Sequence, residues 1–576
     1  MAQLNRIVFI HCFKTHMLTN MKITFLLIII LMVSCSPDRK DQDLSIKSER
    51  APFTWKNATV YFMLTDRFYN GDPSNDTPLG REQDGGPLRS FMGGDLKGIA
   101  MKIEEGYFDD LGVNALWITP PIEQIHGFTD EGWGKTYGYH GYWARDWTRI
   151  DPNYGTMNDL KEMVDKAHEH GIRVLLDVVL NHTGPVTPID TQWPDEWVRV
   201  EPVCTHDSYE HAVKCALVEN LPDIRTESEQ EVELPEFLIE KWDREGRHEQ
   251  EISELNQFFN RTGYPRLPKY YIIKWLTDYV RELGIDGFRV DTAKHLEAYI
   301  WGELYEEALK ALLEWRRINP DKKLDDTDFY MVGEVYGYGI QGEYYYDYGD
   351  SMVNFFDHKF KALINFSFKS DAYREMEDIF SEYSRILNEP LVEYSVMNYI
   401  SSHDDSQPFD LNREKIFESA TKLMLAPGAV QIYYGDELAR TLMAEGTKGD
   451  AHLRSFMNWE DLAGNVSKNG HKTSEILEHW QKLGQFRREH PSVGAGVHKI
   501  LSREPYIFTR TLNRNGMHDI VVVGIGNIKQ PLNVSGIFPD DVRIRDYYSQ
   551  EEYTIRDGKL EVNENQEIYL LGSLVQ

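Results

Sequence analysis

The sequence predicts a (β/α)8 barrel with an inserted subdomain after the third strand and a C-terminal all-β domain. Three observations support this prediction: short apolar runs recur eight times, segments of helical periodicity separate most of them, and polar residues follow several runs. Eight alternating units are typical of a closed parallel barrel, whose chemistry lies at the carboxyl ends of its strands. An open doubly wound sheet is the alternative, but the sequence contains no G-x-G-x-x-G or P-loop motif.

The eight predicted strands are short runs rich in β-branched, aromatic and other apolar residues. They are 60–68, 114–121, 173–180, 287–291, 328–335, 351–356, 393–400 and 429–437. The segment 157–171 (MNDLKEMVDKAHEHG) illustrates the helices between them, because its apolar residues recur at helical spacing and His170-Gly171 signals a helix C-terminus.

Two other parts of the chain depart from this alternation. Residues 183–270 are too long for a loop inside a compact domain and lack barrel periodicity, so they predict an inserted subdomain B. The barrel would then comprise residues 53–182 and 271–496. Short strand-like runs such as DIVVVGIG and EIYLLG predict a C-terminal β-sandwich domain over residues 497–576.

Composition limits the classes of partner. The chain has 576 residues and a mass of 67.1 kDa, and its 93 acidic against 62 basic residues give a net charge of -31. This charge argues against nucleic acid and suits a neutral or cationic ligand, including metal ions. Aromatic residues, at 12%, suit sugars, because sugar C–H faces stack on rings while hydroxyl groups need acceptors, although a large core would use aromatic residues too.

The N-terminus predicts export. Lys22 precedes the apolar run ITFLLIIILMV, which is too short to span a bilayer but suits a signal peptide, and the run closes on Ser34-Cys35. This pattern resembles a bacterial lipoprotein signal, with residues before Met21 as an upstream start. We therefore expect residues 1–35 to be a signal segment, Cys35 to be lipidated, and residues 36–52 to form a polar tether to a membrane, in the periplasm or at the cell surface. Secretion without the lipid is the alternative.

The remaining cysteines fit an oxidising compartment. With Cys12 removed and Cys35 lipidated, Cys204 and Cys215 could close a small loop as a disulfide, although two unrelated reduced thiols are the alternative. No Cys/His spacing in the sequence resembles a zinc site.

The motif GFRVDTAKH (287–295) brings an arginine beside a carboxylate. Arg289 and Asp291 are two residues apart in a predicted strand, so their side chains point the same way. We expect the guanidinium to lower the pKa of Asp291 and keep it ionised, as a nucleophile requires. For an isolated motif of this kind, a structural ion pair is the alternative.

Further polar residues follow other predicted strands, and their convergence strengthens the catalytic interpretation. They are Asp177 and His182 at the third strand, Glu334 at the fifth, and His403 and Asp404 at the seventh. Carboxyl ends of barrel strands share one rim, so these side chains should meet there. An ionised Asp and a Glu on adjacent strands provide the two carboxylates, roughly 5 Å apart, that retaining glycosidases use.

The motifs DVVLNH, GFRVDTAKH, MVGEV and SSHDD resemble, in order, four sequence regions of the α-amylase family of glycoside hydrolases. The resemblance extends over residues 57 to 576 and includes GGDLKGI, YHGYW and LPDIRTES. It implies cleavage of α-1,4-glucosidic bonds of starch or maltodextrins, with Asp291 as nucleophile, Glu334 as acid/base and Asp404 as third carboxylate. We separately expect a monomer. We expect neighbouring acids to raise the pKa of Glu334. The implied substrate-binding residues are His140, Tyr142, His182, Arg289, Lys294, His295 and His403.

Two other functions share this sequence pattern to different degrees. A transglycosylase or cyclomaltodextrin-type hydrolase of the same family would have the same catalytic residues and differ in how it admits water. A non-catalytic glycan-binding protein would be expected to lack the carboxylates, and all three are present.

The resemblance also implies one or two Ca²⁺ sites. The first would use an oxygen-rich turn, which suits a hard cation, although such turns also form without metal. Its implied ligands are Asn70, Asp72, Asn75, Asp76, the Gly93 carbonyl and Asp95. The second would join subdomain B to the barrel through Asn181, Asp223 and the His295 carbonyl.

Overall fold

A computed structural model describes residues 52–130, 132–529 and 531–574. Eight parallel strands, each paired with its chain neighbours, close into a barrel in which β1 pairs with β8. They are β1 Thr59–Met63, β2 Ala115–Ile118, β3 Arg173–Val178, β4 Gly287–Val290, β5 Tyr330–Gly333, β6 Ala362–Asn365, β7 Ser395–Asn398 and β8 Ala429–Tyr433. The predicted fold class is confirmed. The predicted signal, lipidation and tether segment lies outside the described residues.

The register of the central strands brings the polar residues together. Arg289 on β4 pairs with Asp177 on β3 and with Val332 on β5. Gly287 permits this close approach, because a Cβ atom there would lie 2.4 Å from the Tyr330 carbonyl oxygen. Arg289 therefore lies between two neighbouring strands. One of these strands carries a predicted carboxylate, and the other directly precedes one.

The predicted sixth strand, 351–356, is wrong. Met352–Val353 belongs to a small two-stranded hairpin with Tyr346–Asp347, and Phe355–His358 forms a 3-10 turn capped by the Asn354 side chain. The barrel strand is the next segment, Ala362–Asn365. Phe355 and Phe356 are buried against the barrel, so their apolar character reflects burial and not strand pairing.

Helices surround the barrel in the expected alternation, except that between β5 and β6 the described chain forms the hairpin and two 3-10 turns. The main barrel helices are Leu96–Glu104, Met157–Glu169, Pro268–Leu283, Tyr299–Ile318, Met376–Asn388, Ile416–Met424 and Thr473–Glu489. The predicted helix after β2 begins at a Thr156–Asp159 capping box and is followed by Gly171 in the left-handed region. In the described part of the chain, no helix is both long and apolar enough to cross a bilayer.

The long connection after β3 contains its own short elements. They are the strands Val198–Arg199 and Asp223–Ile224 and the helices Glu210–Val213, Glu236–Glu245 and His248–Thr262. Cys204 and Cys215 form a disulfide, as predicted. The third barrel helix already begins at Pro268, three residues before the boundary expected from the sequence.

The C-terminal region is all-β, as predicted. Six antiparallel strands form a sheet in the order β9-β10-β11-β14-β12-β13, and a second apolar core lies against it. The strands are β9 Val497–Ser502, β10 Tyr506–Arg514, β11 Met517–Ile525, β12 Arg543–Asp546, β13 Glu552–Thr554 and β14 Ile568–Ser573. Leu532–Asn533 and Lys559–Leu560 pair as a separate two-stranded sheet.

Candidate active site

Arg289 joins three carboxylates at the carboxyl ends of β3, β4 and β5. Its Nη1 lies 2.7 Å from Asp291 Oδ1 and 2.8 Å from Asp177 Oδ1, and its Nη2 lies 3.1 Å from Glu334 Oε2. The guanidinium is almost fully buried, so these contacts form where the dielectric is low. Sharing one planar cation places the carboxylates of Asp291 and Glu334 beside each other, as a retaining pair requires.

Asp177 supports this arrangement from below. Its Oδ2 accepts hydrogen bonds from Trp117 Nε1 at 3.0 Å and from the Tyr142 hydroxyl at 2.7 Å. With Arg289 on Oδ1, both oxygens have partners and the residue is buried. Asp177 therefore fixes the position of Arg289 and Tyr142 and leaves Asp291 and Glu334 to face the cleft.

The expected lowering of the pKa of Asp291 is wrong in direction. Burial raises this pKa to about 6, because desolvation of the carboxylate and the charge of Asp177 outweigh the attraction of Arg289. Burial likewise raises the pKa of Asp177. Asp291 still ionises below neutral pH, so it can act as a nucleophile at pH 7.

Glu334 has the pKa of a proton donor at neutral pH. Burial is the largest cause of the rise of the Glu334 pKa to about 7. The charges of Asp291 and Asp404 raise this pKa further, whereas Arg289 lowers it. The direction agrees with the prediction, but burial contributes more than the neighbouring acids. One backbone donor, Thr292 N, lies 2.8 Å from Glu334 Oε2 and favours the carboxylate form.

Asp404 lies across the cleft and is held by two side chains. His403 Nε2 is 2.8 Å from Asp404 Oδ2, and Arg454 Nη2 is 2.5 Å from Oδ1. Burial opposes ionisation, but His403, Arg454 and Arg289 together lower the pKa of Asp404 below its usual range. Because burial also lowers the pKa of His403, Arg454 is the permanent cation of this group. Asp404 therefore stays anionic while Glu334 is protonated.

Sequence inspection missed Arg454 and its second partner, Asp450. Arg454 Nη1 lies 2.5 Å from Asp450 Oδ2, and both residues line the same cavity as Asp291. Their four-residue spacing was a weak signal, since such pairs are common on exposed surfaces. Only the fold shows that this pair faces the cleft.

The rings predicted to bind sugar form one wall of the cleft. Tyr142 stacks at a centroid distance of 5.8 Å on His140 and 5.4 Å on His403, and His182 Nε2 is 3.1 Å from the Tyr142 carbonyl oxygen. Burial lowers the pKa values of His140, His182 and His403, so the wall is neutral at pH 7. Neutral rings provide stacking faces and hydrogen-bonding nitrogens for sugar hydroxyls.

Two cavities meet at Asp404. One, of about 220 Å³, contains Asp291, the His140 and Tyr142 rings, and the Asp450–Arg454 pair. The other, of about 270 Å³, contains Glu334 with the aromatic rings of Tyr336, Phe366 and Tyr399. The nucleophile and the acid/base candidates thus face two halves of one cleft, which provides separate space on either side of a scissile bond.

Lys294 and His295 lie in the short 3-10 turn that follows Asp291 in the chain. Lys294 Nζ is 3.2 Å from the Tyr336 carbonyl oxygen, and His295 Nδ1 is 2.9 Å from the Ala212 carbonyl oxygen of subdomain B. Burial lowers the pKa of His295 to about 3, so this ring is neutral and donates to that carbonyl. His295 therefore contacts the inserted subdomain, whereas Lys294 contacts Tyr336, which lines the Glu334 cavity.

The loop after β1 contains oxygen atoms of the kind that bind Ca²⁺. Asn70 Oδ1 is buried without a hydrogen-bond partner, while Asn70 Nδ2 lies 2.9 Å from Asp76 Oδ1. A Cβ atom on Gly93 would lie 2.6 Å from Asp76 Oδ1, so glycine leaves room there. Oxygen atoms from Asn, Asp and a carbonyl suit Ca²⁺, and these residues fit that ion.

The other expected ligands of this loop also have structural partners. Asp95 accepts from Gly71 N, Asp72 N and Gly98 N, while Asp72 Oδ1 accepts from Ser74 N. Asn75 lies in the short 3-10 turn that Asp72 caps. The unpartnered oxygen thus belongs to Asn70, next to Asp76 and Gly93.

The second expected metal site fits a cation only in part. Asn181 Oδ1 is buried without a partner, and Asp223 lies beside it, because Ile224 N donates to the Asn181 carbonyl. Arg199 Nε, however, is 2.7 Å from Asp223 Oδ2 and provides a fixed positive charge. A separate group of possible metal ligands consists of Cys204, His206 and His295, whose ligand atoms lie within 4.8 Å of one another. Cys204 is in the disulfide, however, so it has no thiolate to bind a metal.

Sequence and fold comparisons relate this chain to known proteins. A family model described as the alpha-amylase catalytic domain matches residues 62–496. The periplasmic alpha-amylase of Escherichia coli (strain K12) is 38% identical over 534 residues, covering 83% of this chain and 73% of that protein. A cyclomaltodextrin glucanotransferase of Bacillus sp. (strain 1011) is 26% identical over 530 residues, covering 87% of this chain and 63% of that protein. A solved alpha-amylase of Anoxybacillus shares the fold, with TM-score 0.61 and 24% identity over 90% of this chain and 99% of its own.

Proposed function

This chain belongs to the alpha-amylase family of glycoside hydrolases, and on that premise we propose that it hydrolyses α-1,4-glucosidic bonds of starch or maltodextrins with retention of configuration. One observation carries the proposal: Arg289 holds Asp291 and Glu334 side by side, with pKa values of about 6 and about 7. At neutral pH such a pair supplies an ionised nucleophile and a protonated acid.

The first half-reaction uses both carboxyl groups. Asp291 attacks the anomeric carbon while the bond to the leaving glycosidic oxygen breaks and Glu334 donates its proton to that oxygen. The products are a glycosyl ester on Asp291, an ionised Glu334 and a shortened glucan. Asp404 remains anionic because it is paired with Arg454. It is placed to accept hydrogen bonds from hydroxyl groups of the distorted ring.

The second half-reaction reverses the proton transfer. Glu334 removes a proton from water, the water oxygen attacks the anomeric carbon, and the bond to Asp291 breaks. Two inversions give an α-configured product. Proton NMR of fresh digests of maltohexaose should therefore show the α-anomer first, and immediate release of the β-anomer would contradict the proposed nucleophile.

Transfer to a sugar is a second candidate activity, because a cyclomaltodextrin glucanotransferase is among the relatives. Its chemistry would be identical up to the glycosyl ester, after which a sugar hydroxyl would replace water. Chromatography of products from maltohexaose with and without added glucose distinguishes the two. We expect mainly shortened linear maltodextrins, and mainly lengthened or cyclic products would favour transfer.

We further propose that Ca²⁺ binds the Asn70–Asp76 loop, where Asn70, Asp76 and the Gly93 carbonyl would hold it and fix the loop. Export to the periplasm is proposed from the E. coli relative, which is a periplasmic protein by name. Lipidation at Cys35 and a monomeric state remain predictions. Labelling of wild type and Cys35→Ser with a radioactive fatty acid tests the lipid, which should appear on wild type alone.

A further inference from the structure

Two segments from different parts of the chain meet at residues 294–295, and together we call them the clamp. One is the disulfide loop 204–215 of subdomain B, and the other is the hairpin 346–353 between β5 and β6. Tyr209 N donates to Asp350 Oδ1 at 2.8 Å, and the Tyr209 and Tyr348 rings meet edge to face at 5.1 Å. Each segment therefore holds the other.

The clamp contacts two consecutive residues that follow the nucleophile. The Tyr348 hydroxyl donates to the Lys294 carbonyl oxygen at 2.7 Å, and His295 Nδ1 lies 2.9 Å from the Ala212 carbonyl oxygen. The hairpin also reaches the Lys294 side chain, whose Nζ is 3.0 Å from the Tyr346 hydroxyl. The backbone at residues 294–295 is thus fixed from both sides.

The turn before those residues is strained and contacts Glu334 directly. Thr292 has a φ of 48°, an unfavourable value for a β-branched residue. Its N–H lies 2.8 Å from Glu334 Oε2, and the next amide, Ala293 N, donates to the Glu334 carbonyl at 2.9 Å. A strained residue keeps such a conformation only where its surroundings hold it, and the clamp supplies contacts within three residues.

We propose that the clamp positions the Thr292 N–H against Glu334, which makes Tyr348 a positioning residue for the acid/base. This inference rests on the proposed function, because it assigns a task to Tyr348 only if Glu334 transfers the proton. When the clamp is loosened, the strained turn relaxes and its N–H leaves Oε2. The carboxylate form of Glu334 then loses a hydrogen bond, so its pKa rises.

Tyr348→Phe tests the proposal, because it removes the hydroxyl and keeps the ring. We expect kcat to fall about two- to tenfold, the range that loss of one net hydrogen bond supports. The alkaline limb of the kcat/KM profile should also shift to higher pH. Tyr569→Phe is the matched control, since its buried hydroxyl donates to the Asn563 carbonyl in the C-terminal domain at 2.7 Å. The control should change melting temperature alone.

Asp350→Ala provides an independent variant, because it removes the hydrogen bond between the hairpin and the disulfide loop without touching the cleft. It should shift the alkaline limb in the same direction as Tyr348→Phe. If both variants lose thermal stability like Tyr569→Phe but keep the wild-type kcat and alkaline limb, the clamp is only structural and the proposal is overturned. An inactive wild-type enzyme would instead contradict the proposed function, so the two failures are distinguishable.

Discussion

The rim around Arg289 and the loop after β1 are both rich in acids, yet their carboxylates have different partners. On the rim, Asp177, Asp291 and Glu334 share one buried guanidinium. In the loop, Asp72 and Asp95 accept hydrogen bonds from backbone amides. Carboxylates held by a side-chain charge in a cleft can exchange protons and attack, whereas carboxylates held by amides fix the backbone beside a candidate cation site.

The largest difference in turnover between rim and loop variants should appear when a rim carboxylate is neutralised. Glu334→Gln and Asp291→Asn should each lower turnover of maltohexaose by about a thousandfold or more, because proton transfer or covalent attack is lost. Binding measured by calorimetry should persist, since shape changes little. The control is Glu437→Gln, a buried acid outside the cleft that accepts from the Tyr61 and Tyr107 hydroxyls. Near-wild-type turnover in either rim variant would remove that residue from the catalytic pair.

The pH dependence of activity should reflect the rim carboxylates and not those of the loop. Asp291 must be ionised, so activity should fall below its pKa of about 6, and Glu334 must be protonated, so activity should fall above its pKa of about 7. We expect a bell-shaped kcat/KM profile with its maximum between these values, declining about tenfold per pH unit outside them. Asp72→Ala should leave both limbs in place. A profile flat to pH 9 would show that Glu334 is not the essential acid.

Loss of a carboxylate ligand from the loop should lower thermal stability in Ca²⁺ and leave turnover close to that of the wild type. An ion bound only by the native state adds roughly 3 kcal/mol when free metal is a hundredfold above its dissociation constant. Asp76→Ala should therefore abolish the rise of melting temperature with Ca²⁺, while turnover at low temperature remains close to wild type. The control is Asp130→Ala, whose carboxylate accepts from the nearby backbone amides of Gly132 and Gly134. An undiminished calcium response in Asp76→Ala would exclude this loop as the site.

The smallest effect is expected at Asp72. Its carboxylate is exposed, accepts from Ser74 N and Oγ, and lies 3.4 Å from Lys97 Nζ. Asp72→Ala should lower the melting temperature slightly through the lost cap. It should also weaken the melting response to chelator less than Asp76→Ala does, with turnover unchanged. Identical chelator responses in Asp72→Ala and wild type would contradict the expectation from the sequence that Asp72 takes part in the calcium site.

Much of the fold follows from local sequence pattern. Buried parallel strands are nearly continuous apolar runs, so most of the eight could be located by composition, and the turn signal at His170-Gly171 fixed a helix end. The sixth strand could not, because Phe355 and Phe356 are as apolar as a strand but are buried in a 3-10 turn. Burial alone does not distinguish the two conformations.

For the site, the sequence by itself determined which carboxylates follow which strands, because alternation along β4 places Arg289 and Asp291 on one face and the barrel brings strand ends to one rim. Only the tertiary structure decided the pKa of Asp291, since desolvation depends on every neighbour packed around a group. It also decided that Arg454 pairs with Asp404 and Arg199 with Asp223, contacts between residues 50 and 24 positions apart. Pairings of that kind arise when the chain folds back on itself, and no local pattern in the sequence encodes them.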